Sequence, residues 1–201
     1  MRRRAISFSL ILLTTSFLTP FISGSHADTG QTQQLLDSIN QRMPAVDHLD
    51  GEFTQTKTLT VLPQPLRSSG EFRFDSDSGL RWQVLEPIAS LLVFNSKGMT
   101  QQQDGNTLWA IGADQPTVMV IGRIISALLV GDWALLDSYF NIDGELFADH
   151  WQLQLTPRNS TLQSLLQRID LRGQQTVQAL TLLEPNGDST AIDFSIPSRT
   201  D

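Results

Sequence analysis

From Leu49 onward the chain is written mostly in a period of two, and a single long apolar segment, "DQPTVMVIGRIISALLVGDWALLDSYF", interrupts it. Strict alternation sends successive side chains to opposite faces of a strand, so the bulk of this chain reads as a sheet. In "LDGEFTQTKTLTVL", Phe53, Leu59 and Val61 fall on one side, and Glu52, Thr54, Thr56, Thr58 and Thr60 on the other. After a "PQPL" loop, "GEFRFDSDSGLRWQVLEP" puts Phe72 and Phe74 on one face before a polar turn, and Leu80, Trp82 and Val84 can share that face after it. "IASLLVFN", "MTQQQ" and "TLWAIG" follow, parted by "SKG" and "DGN". Beyond the interruption come "FNIDGELFA", "HWQLQLTP", "LQRIDLRG", "TVQALTLLE" and "TAIDFSIP", the last two joined by the turn "PNGD". The economical reading is a meander of about eleven short antiparallel strands.

The interruption has a different period. Between Val118 and Val130 only Gly122, Arg123 and Ser126 are neither aliphatic nor Met, which describes a helix apolar nearly all round. Such a helix is buried on most sides, and it is too short to cross a bilayer. Pro116 suits its first turn, and Asp132 can cap a second helix carrying Trp133, Leu135, Leu136, Tyr139 and Phe140. Ahead of the sheet, "QTQQLLDSINQRMP" sets Leu35, Leu36, Ile39 and Met43 at helical spacing until Pro44 stops it. The expected class is α+β, mainly β, with one helix before the sheet and a helical pair within it.

At the N-terminus, "MRRR", an apolar run and "SHA" have the layout of a cleaved secretory signal over residues 1–27, with Ser25 and Ala27 at the small-residue positions. The expected product is an exported, soluble, single domain of residues 28–201. The chain has no Cys, so a lipid-attachment cysteine, disulfides and thiolate chemistry are all excluded. Losing residues 1–27 removes three arginines and no acid, which takes the formal charge from -7 to -10. That balance argues against nucleic acid and against electrostatic docking on anionic lipid; it suits solubility or a basic partner.

Little in the chain reads as chemistry. His48 and His150 stand in unrelated contexts without ligand spacing, so no metal site is expected. "DSDSGLRWQVLE" puts Asp75, Asp77 and Glu86 at the first, third and twelfth places of a calcium loop, but Gly79 stands one place early and strands flank it. A hairpin turn is the better account. "NST" at Asn159 matches a glycosylation acceptor without other support. With no nucleophile elbow, P-loop or dinucleotide fingerprint, no catalytic residue and no cofactor are expected, and the chain is not read as an enzyme.

The order of signal, amphipathic helix, "GEFTQTK", "LRSSGEFRF", "GLRWQVLEP", "LLVFNSKG" and "NTLWAIG" resembles the LolA family of periplasmic lipoprotein carriers. The resemblance is carried by Phe53-x-Gln55, by Ser69-Gly70 ahead of an aromatic strand, by Arg81-Trp82 with Pro87 five residues on, and by Trp109 after a DG turn. It runs over residues 31–111; the C-terminal half joins through "LLVGD" and "WQLQLTP". It implies an open, incomplete antiparallel β-barrel whose apolar concave face is covered by helices acting as a lid. It further implies a periplasmic monomer that takes acyl chains of lipoproteins from an inner-membrane transporter and passes them to an outer-membrane acceptor.

On that resemblance the expected cavity lining is Leu35, Ile39, Phe72, Phe74, Leu80, Trp82, Val84, Phe94, Trp109, Val118, Ile121, Ile125, Leu128 and Leu129. The chain departs from the family at one place. Where enterobacterial-type carriers hold the lid through an arginine in the turn, this chain has Asp75, Ser76 and Asp77, and neither Arg73 nor Arg81 is an evident replacement. It is also similar to paralogues that accompany aryl-polyene or related lipid biosynthesis, so the alternatives are a non-lipoprotein lipid, such as an aryl-polyene or a glycolipid, or a guest-free periplasmic interaction module.

Overall fold

The computed structural model describes residues 29–43 and 46–197. The expected signal, residues 1–27, and the helix-stopping Pro44 lie outside the described residues. Helix α1 (Thr29–Arg42) precedes β1 (His48–Thr58), β2 (Leu66–Asp75), β3 (Gly79–Glu86), β4 (Ser90–Asn95), β5 (Gly98–Gln103) and β6 (Asn106–Gly112). Helices α2 (Pro116–Val130) and α3 (Trp133–Tyr139) follow. The chain ends with β7 (Phe140–Leu146), β8 (Trp151–Pro157), the short α4 (Ser160–Gln163), β9 (Arg168–Gly173), β10 (Val177–Leu183) and β11 (Ser189–Ser195).

All eleven strands form one antiparallel sheet in the order β6-β5-β4-β3-β2-β1-β11-β10-β9-β8-β7. Its edges, β6 and β7, are not paired with each other, so the barrel is open. The path explains the interruption seen in the sequence. Six strands step outward from the centre by short turns, and the chain must then cross to the opposite edge before five strands step back. Neighbouring antiparallel strands need only tight turns, whereas an edge-to-edge crossing needs a long connection, and α2 with α3 supplies it. Accordingly α2 touches β3 and β5 on one side of the centre and β10 on the other, while α1 and α3 pack on β7.

Local chemistry agrees with this path. Pro116 opens α2, where its missing N–H costs nothing, and Gly131 ends it at φ 72°, the left-handed conformation that glycine adopts most easily. The Asp132 carboxylate accepts from the Leu135 N–H at 3.1 Å and starts α3. Two expectations need correction. Strand β1 stops at Thr58, because the buried Asp188 carboxylate accepts from the Thr60 N–H and hydroxyl at 2.8 and 3.0 Å; Val61 therefore stands 84% exposed in a turn rather than on the apolar face. The residues after β8 also form α4 before β9 begins at Arg168. Asn159, read as a glycosylation acceptor, caps that helix by accepting from the Leu162 N–H at 2.9 Å.

Candidate functional site

Register decides which side chains share the face under the helices. One row runs Leu49–Phe74–Leu80–Phe94–Met99–Ile111 across β1 to β6. The next row runs Phe72–Trp82–Leu92–Gln101–Trp109, and a third pairs Phe194 with Phe53, Gly70 and Val84. The expected residues Phe72, Phe74, Leu80, Trp82, Val84, Phe94 and Trp109 thus lie on one continuous inner surface. On β7 to β9 the same surface carries Phe140, Ile142, Trp151, Leu153, Leu155, Ile169 and Leu171, and on β10 Leu180 and Leu182 continue it.

The two stretches of inner surface differ in cover. Phe140, Trp151 and Leu155 are fully buried, under α1 and α3; Trp133 meets Trp151 edge-on, with ring centroids 5.5 Å apart. On β2 to β6, Phe72, Leu80 and Phe94 are buried, but Phe74, Trp82, Val84, Leu92 and Met99 are only half-buried and Trp109 is 37% exposed. Trp82 stacks on Phe53 at 3.9 Å between centroids and lies 6.0 Å from Phe72, with Phe194 set edge-on to both. Offset and edge-on aromatic arrangements of this kind each add about 0.5–1.5 kcal/mol beyond the area they bury.

Helix α2 is the cover of this second stretch. Gly122 lies directly against the Phe94 ring, and a Cβ added there would fall among the ring carbons. Ile121 and Ile125 are half-buried, while Leu128 and Leu129 are buried, so the helix grows drier toward Gly131. Val118 belongs to α2, but its side chain is outside the described residues. Helix α1 packs on β7, where the Thr32 hydroxyl also donates to the Ile142 carbonyl at 3.5 Å; its Ile39 is buried and its Leu35 half-buried against the shared core.

The "DSDSG" turn is occupied with itself. Asp75 Oδ1 accepts from the N–H groups of Asp77 and Ser78 at 3.0 and 2.7 Å and from the Ser78 hydroxyl at 2.9 Å, while His48 Nδ1 lies 2.7 Å from Oδ2. These bonds, above all the Ser78 N–H, hold the Asp75 carboxyl below its ordinary range. It is a hairpin turn tied to the start of β1. Arg73 pairs with Asp50 at 2.7 Å on the outer face, and Arg81 is exposed there; neither reaches α2. His150 stacks on Phe147 with centroids 4.4 Å apart and pairs with Asp149. Among the described residues no cluster of His, Asp and Glu is arranged to hold a metal ion.

Surface cavities open elsewhere among the described residues. One of about 940 Å³ lies between the α1–β1 connection and the β9–β10 turn, lined by Arg42, His48, Asp149 and Gln174 among others. Others of about 610 and 320 Å³ lie along the outer face, the smaller with Glu52, Glu71 and Asp193 in its lining. Sequence reasoning did not include Phe53, Leu92, Met99, Ile111 and Phe194 in the lining. Phe194 was within reach of it, since "TAIDFSIP" alternates Ile192, Phe194 and Ile196; its pairing with Phe53 was not.

A family described as outer membrane lipoprotein carrier protein LolA-like matches residues 29–187. Among solved structures, a LolA superfamily protein from Nitrosomonas europaea is similar at 10% identity and a TM-score of 0.42, with 84% of this chain and 94% of that chain covered. The MucA/MucB complex of Pseudomonas aeruginosa matches at 15% identity and a TM-score of 0.36, over 83% of this chain and 58% of that chain. An adenosylcobinamide-GDP ribazoletransferase of Corynebacterium glutamicum is 30% identical over 95 residues, 47% of this chain, which span only 27% of that protein.

Proposed function

Since the match over residues 29–187 means that the chain belongs to the LolA-like outer membrane lipoprotein carrier family, we propose that it is a periplasmic lipid carrier. In this reading residues 1–27 direct export, and the remainder acts as one monomeric domain. The guest, an acyl chain of a lipoprotein or of another envelope lipid, lies between α2 and the inner face of β3 to β6. An inner-membrane transporter loads it and an outer-membrane acceptor receives it.

The observation that carries this reading is the uneven cover of one apolar surface. A face that served only as core would be dried along its whole length, as on β8 and β9; instead Trp82, Val84, Leu92 and Met99 stay half-buried beneath a single apolar helix. That helix rests on Phe94 through Gly122, a side chain on a backbone notch, without any ion pair from the "DSDSG" turn. A latch of this kind can be lifted. Hiding a sixteen-carbon chain from water represents on the order of 12 kcal/mol, so release into water is hopelessly slow. A bilayer or a second apolar cavity offers nearly the same gain, and a cover of modest stability can then set the direction of transfer.

Native mass spectrometry of the protein isolated from the envelope tests the reading, together with photocrosslinking from Trp82 and Val84. Acyl species bound to the protein and captured at both positions are expected; protein that yields no lipid and captures none removes the carrier. The identity of the acyl species separates lipoprotein from aryl-polyene or glycolipid cargo. A guest-free interaction module is favoured by one feature alone, the outer-face cavity that Glu52, Glu71 and Asp193 line, with Glu52 directly opposite Glu71. Like charges set across a ladder are unfavourable unless something basic neutralises them.

A further inference from the structure

The inner surface changes character along its strands. The row at the level of Leu49, from Phe74 to Ile111, is wholly apolar, and the next, through Phe72 and Trp82, holds one polar side chain, Gln101. Farther along, Ser90 continues the row of Phe53 and Val84. The fourth row sets Gln55 and Ser68 beside Ile192, and the fifth sets Lys57 between Thr190 and Leu66. Helix α2 rests on the first row, at Phe94, so the polar rows lie toward the other end of the surface.

These polar side chains are not spent on the fold. Gln55, Ser68 and Ser90 are half-buried, and none makes a side-chain hydrogen bond among the described residues. Each can donate to a carbonyl oxygen, Gln55 through its amide and the serines through their hydroxyls. An apolar site with a few polar groups at one end takes its guest in a single orientation, because a polar group left unpaired costs more than the pairing gains.

The spacing suits an acyl chain. Strands rise about 3.3 Å per residue, so along β1 the rows of Phe53 and Gln55 lie about 13 and 20 Å from the row of Leu49. One bilayer leaflet holds its acyl chains within about 15 Å, half of the hydrocarbon core. A chain whose methyl end touches Phe94 beneath α2 therefore ends between Ser90 and the Gln55–Ser68 pair.

Charge sets the kind of head. Among the described strands Lys57 is the one charged side chain at an inner position, and Arg67 and Glu86 fall on the outer face. Lys57 Nζ lies 3.4 Å from Glu184, whose N–H donates to the Asp188 carbonyl in the same turn, so the inward cation is already matched. A carboxylate or phosphate would meet two acids there for one base; an uncharged linkage meets only hydrogen-bond donors.

Resting on the carrier reading, we propose that Gln55, Ser68 and Ser90 form a belt that holds the ester or amide carbonyl joining an acyl chain to an uncharged head. The methyl end then lies beneath α2 at Phe94, and the head lies beyond the belt, beside Lys57 and Glu184. The apolar rows supply the affinity, while the belt fixes the orientation and selects acyl esters over free acyl anions.

The test uses the mature chain and two photoactivatable monopalmitoylglycerols, one with its diazirine at the chain end and one with it on the glycerol. Peptide mapping should place the chain-end adduct on α2 or around Leu80 and Phe94, and the glycerol adduct on the facing ends of β1 and β2. Gln55→Leu with Ser68→Ala should weaken monopalmitoylglycerol about fivefold or more, while hexadecane, which has no carbonyl, loses about twofold or less. Palmitate, charged at neutral pH, should bind about tenfold more weakly than monopalmitoylglycerol, and Glu184→Gln should narrow that gap. Reversed or coincident adducts, ester binding that the double variant leaves intact, a parallel loss of hexadecane, or a preference for palmitate each overturn the belt and leave the carrier standing. No adduct from either probe removes the carrier reading and the belt with it.

Discussion

On one side of the sheet's centre β7 to β10 hide all their apolar inner side chains but Leu146 and Leu182, while on the other β3 to β6 leave all but Leu80 and Phe94 half wet. Both stretches have four strands, the same pairing and similar apolar content, so strand chemistry does not separate them. The difference lies in what covers each. The first stretch receives α1 and α3 and closes as an ordinary core around Trp151, Phe140 and Leu155. The second receives α2, which also reaches across to β10, and its hold there is the Phe94–Gly122 notch. A helix divided between two sets of strands cannot dry both, and the apolar area left over is where a guest can be accommodated.

The sharpest way to break this comparison is to damage the two stretches separately. Trp151→Ala should cost about 3–5 kcal/mol in urea denaturation, as expected for emptying a sealed core, without loss of lipid from whatever protein remains folded. Trp82→Ala should cost less than Trp151→Ala and yet abolish lipid capture. Equal stability losses with no difference in capture would make the half-buried stretch core like the rest.

A smaller effect is expected at the notch. Gly122→Val forces a side chain into the Phe94 ring and should cost about 1–3 kcal/mol while increasing binding of a hydrophobic dye, because α2 can no longer seat. Adding Phe94→Ala should return much of both effects, a coupling that two unconnected sites would not show. If Gly122→Val lowers stability without raising dye binding, α2 is fixed core and not a cover.

The seam between the stretches gives a pH test. Asp188 joins the β10–β11 turn to the β1–β2 loop, and its carboxyl is held below the ordinary value near 3.8, chiefly by the Thr60 N–H. A carboxyl lowered on folding contributes stability that is fully present above 3.8 and is lost as pH falls below that value through the folded one. The stability difference between the native chain and Asp188→Asn should therefore be constant from neutrality down to about pH 4 and shrink below it. A difference that changed between neutrality and pH 5 would assign the seam to another group.

The smallest expected change lies in the sealed stretch. Trp133 Nε1 is buried there without a hydrogen-bond partner among the described residues, and such a group costs about 1–3 kcal/mol. Trp133→Phe removes the orphaned N–H along with part of the ring, and thermal unfolding should shift little in either direction. A large loss would show that the indole's size matters more than its unpaired N–H.

Part of this comparison was legible beforehand. In β8, "WQLQLTP" alternates fully buried with exposed residues, and that is how the sequence reads. In β4, "SLLVFN" is apolar on both faces and mostly half-buried, which alternation alone could not assign. Val61 misled because it continues the period of β1, whereas a carboxylate 128 positions away from Thr60 takes the backbone off the ladder. The same distance problem hid the placement of α1 on β7 and the partnership of Phe53 with Phe194.

By itself the sequence determined the strand count, the leading helix, the helical pair with its caps, and the inward set of most strands, because periodicity, proline and capping act within a few residues. Only the tertiary structure decided that β1 pairs with β11, that the helical pair links two free edges, and that α2 covers its strands incompletely. Those outcomes depend on which distant surfaces meet, and water is excluded by the pair of surfaces together rather than by either one alone.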